Sequence, residues 1–227
     1  ARNWGHDLDA MLAAISPATR LIFIANPNNP TGTGLSRTEL TQFLDQVPEQ
    51  VLVVLDEAYG EYIDDPSFPD GLSLLAQYPN LIVTRTFSKA WGLAALRVGY
   101  AVARADIIDV LNRVRQPFNV SSLALAAATA VLDDEDYILK ARRLNTQGLA
   151  QFVEGFASMG LDYIASMGNF IAVNVGRPAL PVYQQLLGQG VIVRPVVNYG
   201  MPEHLRISVG YPEQNARCLE ALRQVLA

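Results

Sequence analysis

Residues 81–100, LIVTRTFSKAWGLAALRVGY, pass from an apolar run through a polar turn into a second apolar run. The first six residues are rich in apolar and β-branched side chains and predict a strand buried on both faces, as in parallel sheets. Lys89 follows this strand, with Thr86 and Ser88 before it and Arg97 eight residues after it. A lone lysine is nearly always a solvated surface charge. The apolar stretch AWGLAAL is an unusual setting for such a charge, so Lys89 is a candidate functional group.

Two more apolar runs precede this stretch, RLIFIA at 20–25 and VLVVLD at 51–56. A helical pattern lies between them, because Ser36 and Glu39 form a capping box at the start of SRTELTQFLDQV. Strand, helix, strand, helix and strand in this order predict right-handed crossovers in an open α/β sheet, mostly parallel. We expect VGYAVA at 98–103 to add a further strand.

The second half of the chain has a different pattern. SSLALAAATAVL predicts an alanine-rich helix, and DDEDYILKARRLNTQGLAQFVEGFASMG predicts a long amphipathic helix that ends at Gly160. NFIAVNV, VIVRP and LRISVG predict strands, and helices are expected at 181–188 and 213–226. This order predicts a smaller α+β domain, with a boundary near residue 134.

Composition narrows the function classes. The 227 residues are 50% hydrophobic and 17% charged, with a net charge of −5 and no basic stripe, so nucleic acid is not an expected partner. No apolar stretch approaches the roughly 20 residues of a membrane span, and no signal peptide is recognised. Cys218 is the only cysteine, which fits a reducing, cytoplasmic setting, and we expect it in the core. His6 and His204 match no metal or catalytic pattern.

Polar side chains follow the predicted strands where each strand ends. Ligands of open α/β sheets bind beyond the carboxyl ends of the strands, so we expect these side chains to face one crevice. NPNNPTG follows the first run, DEAYGEY closes the second and TFSKAWG closes the third. The candidate residues are Asn29, Asp56, Tyr59, Thr86, Ser88 and Lys89.

This set of side chains suits pyridoxal phosphate. A lysine amine forms a Schiff base with its aldehyde, and a carboxylate keeps its ring nitrogen protonated so that the ring accepts electrons. Hydroxyls and the fork of an arginine suit its phosphate. Lys89, Asp56 and Arg97 meet these needs, while Tyr59 and Asn29 could reach the phenolic oxygen of the ring.

Simpler roles exist for the same residues. Asp56 could cap a helix, Thr86 and Ser88 could cap a helix start, and Arg97 could form a salt bridge. NPNNPTG is also a plain turn sequence, and we expect a structural role for Asn28. The cofactor interpretation is favoured because several strand ends match it together.

NPNNPTG, DEAYGEY and TFSKAWGLAALRVGY resemble segments of fold-type-I pyridoxal-phosphate aminotransferases. Within that group, MGNFIAVNV and GVIVRPVVNYGMPEHLRISVGYPEQN resemble the histidinol-phosphate aminotransferases. The resemblance covers nearly the whole chain. It implies the C-terminal part of a large cofactor-binding α/β domain at 1–134 and a small α+β domain at 135–227. Family members are longer at the N-terminus, so we expect part of the cofactor site upstream of Ala1 and no activity from residues 1–227 alone.

The resemblance also implies a role for each site residue. It makes Lys89 the Schiff-base lysine and Asp56 the partner of the ring nitrogen, and it implies a cis peptide bond between Asn29 and Pro30. The phenolic oxygen is assigned to Asn29 and Tyr59, the phosphate to Thr86, Ser88 and Arg97, and the substrate side to Asn169, Arg194 and Arg206.

The implied reaction is transamination between histidinol phosphate and 2-oxoglutarate, which gives imidazole acetol phosphate and glutamate in histidine biosynthesis. The resemblance implies a cytoplasmic homodimer that acts on a small amino donor and a 2-oxo acid. Three alternatives stay open at this point. They are an aromatic amino-acid aminotransferase, a threonine-phosphate decarboxylase, and a ligand-sensing aminotransferase-like domain of a transcription regulator. Arg194 and Arg206 would bind a carboxylate in the first alternative, and they could also pair with surface acids.

Overall fold

The computed structural model describes residues 1–227 and contains two four-stranded sheets. The chain divides by its contacts into two compact units, each with one sheet. The first comprises Ala1–Pro27 and Gly34–Leu139, and the second comprises Asn28–Thr33 and Lys140–Ala227. The domain bounds of 1–134 and 135–227 stay a prediction.

The sheet of the first unit has the strand order β1-β2-β3-β4. β1, β2 and β3 are parallel neighbours, which confirms the three strands and the mostly parallel sheet expected from the apolar runs. β4 is antiparallel to β3. Asp56 pairs in register with Ala25 and Thr84, so the carboxyl ends of these parallel strands lie at the same end of the sheet. The strands are β1 Leu21–Ala25, β2 Leu52–Asp56, β3 Leu81–Thr86 and β4 Gly99–Val102.

The two faces of this sheet are covered unequally. β1 buries one face only, which corrects the prediction for that strand, whereas residues 81–83 of β3 are buried on both faces as predicted. Ile22 and Ile24 of β1 are buried, whereas Leu21 is exposed and Phe23 is 67% exposed. The buried face packs against the apolar sides of α1 (Leu8–Ala13) and α2 (Arg37–Leu44). Both helices of this core lie on the same face, and that arrangement produces the alternation in β1.

α2 begins as the sequence predicts. Ser36 Oγ accepts a hydrogen bond from the Glu39 N–H at 3.2 Å, and Glu39 Oε2 accepts one from the Ser36 N–H at 2.8 Å. The side-chain and backbone hydrogen bonds from Ser36 hold the pKa of Glu39 below its usual value. This reciprocal pair satisfies two backbone donors at the helix start.

The rest of the first unit is made of shorter elements. Three 3₁₀ helices occupy Gly60–Tyr62, Gly71–Leu74 and Ala94–Leu96. The second of them lies between β2 and β3, where the order of elements predicts a helix. α3 (Ala105–Val114) was not expected from the sequence, whereas α4 (Ser122–Leu132) is the predicted alanine-rich helix.

The sheet of the second unit is antiparallel throughout, with the order β5-β6-β8-β7. The predicted strands and helices are present, and the short β5 is additional. None of the helices is long and apolar enough to cross a membrane. The elements are α5 Glu135–Ser158, β5 Tyr163–Ile164, β6 Phe170–Asn174, α6 Ala179–Gly188, β7 Arg194–Pro195, a 3₁₀ helix at Val197–Tyr199, β8 His204–Ser208 and α7 Pro212–Leu226.

The predicted end of α5 at Gly160 is confirmed. Gly160 has a φ of 67°, the left-handed conformation that glycine adopts without steric cost. The N–H of Leu161 donates to the carbonyl of Phe156 at 3.0 Å, as in a Schellman motif.

Two apolar cores hold the second unit together. The smaller includes Ile164 and Val196, and the larger is built around α5. Phe152 and Phe156 of α5 pack with residues of β6, β8, α6 and α7. Cys218 of α7 is buried in this core, as predicted, and burial raises the pKa of its thiol to about 11.

Candidate active site

Asp56 ends β2 with its side chain on the open face of the sheet. Successive strand residues point to opposite faces, and the neighbouring Leu55 belongs to the buried core. Asp56 is exposed, and its Oδ1 accepts a hydrogen bond from the Ala58 N–H at 3.1 Å. This bond fixes the turn after β2, which leads into the buried Tyr59.

The turn after β3 brings Lys89 to Tyr59. Thr86 ends the strand, and its hydroxyl accepts a hydrogen bond from the Ser88 N–H at 3.0 Å. The Nζ atom of Lys89 lies 5.5 Å from the centroid of the Tyr59 ring. A cation at this distance from an aromatic face is attracted by the ring, so the amine and the phenol are held together while Lys89 stays exposed.

Arg97 lies beside the hydroxyl of Ser88. Its Nη1 donates to Ser88 Oγ at 3.3 Å and to the Ala94 carbonyl at 2.8 Å. Its backbone is left-handed, with a φ of 53°, an uncommon conformation for a residue other than glycine. Both acceptors are neutral, so the positive charge of Arg97 can also serve an anion that binds beside Ser88.

An ion pair between a buried carboxylate and a partly buried guanidinium lies behind these residues, and the sequence interpretation missed it. Glu57 Oε2 accepts hydrogen bonds from Arg85 Nε at 2.9 Å and from Arg85 Nη2 at 2.6 Å. Arg85 Nη2 also donates to Asp70 at 2.7 Å. Glu57 follows Asp56, and Arg85 precedes Thr86. The sequence signal for this ion pair was therefore an acidic and a basic residue, each directly beside a candidate cofactor residue.

The charges of this pair depend on burial and on each other. Burial raises the pKa of Glu57, and the hydrogen bonds from Arg85 oppose that rise. Burial lowers the pKa of Arg85, but the hydrogen bonds and charge of Glu57 outweigh burial and raise it. Arg85 therefore remains a cation at neutral pH, and the charge that it faces favours the carboxylate form of Glu57.

Arg206 is the best-fixed cation of the second unit. Its Nη1 donates to Asn29 Oδ1 at 2.6 Å, and its Cζ lies 5.1 Å from the centroid of the Phe170 ring. Its Nε is buried and has no hydrogen-bond partner. A buried polar atom without a partner is unusual, and a bound anion would satisfy it.

The other two substrate-side candidates lie near Arg206 in the sheet. Arg194 of β7 is exposed and stands in register with Arg206 of β8. Asn169 directly precedes β6, and its carbonyl accepts a hydrogen bond from the Val209 N–H at 2.9 Å. The neighbouring strands thus place two positive charges opposite each other.

The NPNNPTG segment is held in the second unit from residue 28 onward. The Asn29–Pro30 bond is cis, which confirms the expectation, and the Asn26–Pro27 bond is cis as well. Asn28 Nδ2 donates to Thr31 Oγ1 at 2.8 Å, which fits the structural role expected for Asn28.

Gly32 packs tightly in this segment. Its φ is 79°, and a Cβ atom there would lie 2.0 Å from Ser166 Oγ. Its carbonyl accepts a hydrogen bond from the Met167 N–H at 2.8 Å. Both the backbone conformation and the close approach require glycine at this position.

The structure therefore brings together two sets of predicted residues, one in each unit. Lys89 joins Tyr59, and Ser88 joins Thr86 and Arg97, in the first unit; Arg206 joins Asn29 in the second. The first set contains an accessible amine, a phenol, hydroxyls and a guanidinium, and Asp56 adds an accessible carboxylate. This donor set fits the aldehyde, ring nitrogen, phenolic oxygen and phosphate of pyridoxal phosphate. The individual roles stay predictions.

Comparison with protein families agrees with this donor set. The model of the family described as aminotransferase class I and II matches residues 1–222. The chain belongs to this family. It is 63% identical over 227 residues to histidinol-phosphate aminotransferase 2 of Pseudomonas fluorescens, covering 100% of this chain and 61% of that protein. It is 58% identical over 226 residues to histidinol-phosphate aminotransferase 2 of Pasteurella multocida, covering 100% of this chain and 62% of that protein.

This family member also resembles solved structures. Histidinol-phosphate aminotransferase from Sinorhizobium meliloti, in complex with pyridoxal-5'-phosphate, superposes with a TM-score of 0.91 at 31% identity, over 100% of this chain and 62% of that chain. The fold is the fold type I of pyridoxal-phosphate-dependent transferases, as expected. The chain spans 61–62% of the length of the two curated relatives.

Proposed function

We propose that the whole protein is a pyridoxal-phosphate-dependent aminotransferase of histidine biosynthesis. It exchanges an amino group between histidinol phosphate and 2-oxoglutarate, giving imidazole acetol phosphate and glutamate, and works as a cytoplasmic homodimer. The observation that carries this proposal is the 63% identity, over all 227 residues, to a Pseudomonas fluorescens protein of that name.

The cofactor residues of the first unit have separate tasks in this proposal. When bound, pyridoxal phosphate supplies a ring that accepts the electrons of the substrate's Cα–H bond. Asp56 holds the proton on the ring nitrogen, and the amine of Lys89 carries a proton to and from the reacting carbon. Tyr59 donates to the phenolic oxygen, and its ring keeps the Lys89 amine within reach at 5.5 Å.

The phosphate of the cofactor is assigned to Thr86, Ser88 and Arg97. The support is the contact of Arg97 with Ser88 Oγ at 3.3 Å, which places a hydroxyl beside a guanidinium. A guanidinium can bond two phosphate oxygens at once, so this pair can fix the orientation of the cofactor. Asn29 is assigned to the phenolic oxygen, as the resemblance implies.

The substrate phosphate is assigned to the second unit. Arg206 and Arg194 supply the charge, and Asn169 supplies an amide for the same ligand. The buried Nε of Arg206 supports this assignment, because a phosphate oxygen would give that atom its missing acceptor. Recognition of a second phosphate would separate histidinol phosphate from amino acids that lack one.

The test is a comparison of amino donors on the whole protein loaded with pyridoxal phosphate. We expect kcat/KM with histidinol phosphate and 2-oxoglutarate to exceed that with phenylalanine or tyrosine by about a hundredfold or more. An amino acid without a phosphate forfeits charged hydrogen bonds to the arginines, and each such bond is worth about 1.5–3 kcal/mol. Glutamate formation is the measurement, and Lys89→Ala is the blank. A higher kcat/KM with an aromatic amino acid would overturn the proposal in favour of an aromatic aminotransferase.

A further inference from the structure

Glu57 and Arg85 lie on the face of the first sheet opposite the candidate cofactor residues, and the proposed function assigns them no role. Side chains alternate along β2 and β3, so Asp56 and Thr86 point to one face while Glu57 and Arg85 point to the other. Glu57 is 1% exposed, whereas Asp56 is exposed. Glu57 and Arg85 therefore each lie one residue away from a candidate cofactor residue, on the opposite face.

The carboxylate of Glu57 connects three separate parts of the first unit. One oxygen accepts both hydrogen bonds from Arg85 of β3, and the other accepts the Gly71 N–H at 2.7 Å. The Glu57 N–H donates to the Thr84 carbonyl at 2.9 Å, which extends the pairing of the two strands past Asp56. β2, β3 and the 3₁₀ helix at Gly71–Leu74 are thus fastened to one another at the carboxyl end of the sheet.

The space around this carboxylate is shaped to hold it. A Cβ atom on Gly71 would lie 2.7 Å from Glu57 Oε1 and 2.8 Å from Leu55 Cδ2, so only glycine allows the approach. The Nη2 atom of Arg85, which bonds Glu57, also donates to Asp70 at 2.7 Å. A carboxylate with both oxygens bonded and a guanidinium with two acid partners have little freedom to move.

We propose that Glu57 and Arg85 are positioning residues, a clamp built on a buried carboxylate, that holds Asp56 and the turn from Thr86 to Lys89 in the geometry that pyridoxal phosphate requires. This rests on the proposed function only in needing the cofactor. The clamp touches neither cofactor nor substrate. It acts through the backbone, because a shift at residue 57 or 85 moves Asp56 or Thr86 directly. Its loss should therefore weaken cofactor binding more than recognition of the amino donor.

The test compares two clamp variants with a control at the other end of the same strands. Glu57→Gln keeps the shape of the side chain but replaces one acceptor oxygen with an NH2 group, so that a donor faces the N–H of Gly71 or of Arg85. Arg85→Lys keeps the charge but loses the fork. The control is Asn80→Ala. Asn80 is buried, donates to the Val51 carbonyl at 2.9 Å, and lies at the amino end of the β2–β3 pair, roughly 15 Å away along the strands.

The readouts are the dissociation constant of pyridoxal phosphate, the visible spectrum of the bound cofactor, the KM of histidinol phosphate at saturating cofactor, and the thermal midpoint. We expect Glu57→Gln to raise the cofactor dissociation constant roughly tenfold and to leave the KM of histidinol phosphate unchanged. Loss of a residue that supports a metal ligand typically costs about 10–100-fold in affinity, and we take the lower end of that range. Arg85→Lys should show the same split to a smaller degree. Asn80→Ala should lower the thermal midpoint without changing the cofactor dissociation constant.

Two outcomes overturn the clamp. In one, the clamp variants bind pyridoxal phosphate as tightly as the parent; in the other, Asn80→Ala weakens cofactor binding as much as they do. If Glu57→Gln fails to fold, Arg85→Lys decides by the same measurements. A parent that binds the cofactor but prefers another amino donor refutes the proposed function and leaves the clamp standing, whereas a parent that binds no pyridoxal phosphate overturns both.

Discussion

Two cations in different units, Lys89 and Arg206, are held in opposite ways. Lys89 is exposed, and its contact is the face of the Tyr59 ring. Arg206 is half-buried, bonded to Asn29 at 2.6 Å and stacked on Phe170. A cation–π contact at an exposed site is worth about 0.5–1 kcal/mol, whereas a hydrogen bond from a charged group is worth about 1.5–3 kcal/mol. The lysine is free to change partners, and the arginine is fixed.

This difference fits a division of labour between reaction and recognition. A group that forms and releases a bond in every cycle must not be tied down, so weak contacts suit Lys89. A group that recognises one ligand gains from a fixed orientation, because less freedom is lost when the ligand binds. The comparison therefore predicts that variants of the two residues fail in different kinetic parameters.

Replacing Lys89 should have the largest effect and most directly tests this comparison. Lys89→Ala removes the amine that reacts with the cofactor, and we expect turnover to fall by at least about a thousandfold. The measurement is turnover, with borohydride reduction of the loaded protein and mass analysis of the labelled peptide. Lys140→Ala, which removes the other lysine of this chain, is the control and should be unaffected. A reduced cofactor attached to any lysine except Lys89 would contradict the assignment.

Asp56→Ala should have the next largest effect. The variant loses the fixed charge beside the ring nitrogen, so we expect kcat to fall by about a hundredfold or more while some cofactor remains bound. Asp133→Ala, at the exposed end of α4, is a matched loss of an acid and should change little. Near-normal kcat in Asp56→Ala would show that Asp56 serves only the turn that contains Ala58.

Arg206→Lys sharpens the comparison from the side of recognition. The charge remains but the fork is lost, so we expect the KM of histidinol phosphate to rise about tenfold or more with a smaller change in kcat. Binding of pyridoxal phosphate, measured by titration, should change less than that KM does, because Arg206 meets the cofactor site only through Asn29. If aromatic amino acids without a phosphate lose as much as histidinol phosphate does, Arg206 does not recognise the phosphate.

The smallest expected effect is on the pH dependence of stability, and it comes from His204 on β8, the strand that also carries Arg206. Burial lowers the pKa of His204 on this strand, and the charge of Glu203 partly opposes that shift. His204 therefore takes up a proton near pH 6.5 in the unfolded chain, but only at a lower pH in the folded chain. The contribution of His204 to the free energy of unfolding is therefore fully present above pH 6.5, and it is lost as the pH falls towards the pKa of the folded state.

We expect His204→Gln to flatten this decline between pH 7 and pH 5. Thermal midpoints at the two pH values are the measurement, and His6→Gln in the first unit is the control for loss of a histidine. An equally steep decline in His204→Gln would mean that β8 does not keep His204 from protonation, and that the surroundings of Arg206 are less fixed than the contacts imply.

Much of the fold was predictable because it depends on local pattern. The apolar runs located β1, β2, β3 and β6, and the capping box at Ser36 located α2. The face that each strand buries was not predictable. LIFIA of β1 and FIAVN of β6 are similar as sequences, yet Phe23 is 67% exposed and Phe170 is 2% exposed. Burial depends on which other elements pack on the strand, and a run of five residues does not contain that information.

The candidate site divides in the same way. Lys89, Asp56 and Arg97 were found because they follow strand ends, a rule that needs only the order of elements. Glu57 was missed because its partner Arg85 is 28 residues away, and their contact follows from strand register. The Arg206–Asn29 contact spans 177 residues and could not be read from spacing at all.

The position of Asn28–Thr33 in the second unit matters for any attempt to express that unit separately. The segment clusters with residues 140–227, although the residues on both sides of it cluster with the first unit. A fragment cut at residue 140 would leave the Met167 N–H without the Gly32 carbonyl and Arg206 without Asn29. The second unit is therefore not one continuous stretch of coding sequence. Expressing it separately would call for a circular permutation, or for a synthetic peptide of the missing turn supplied in trans.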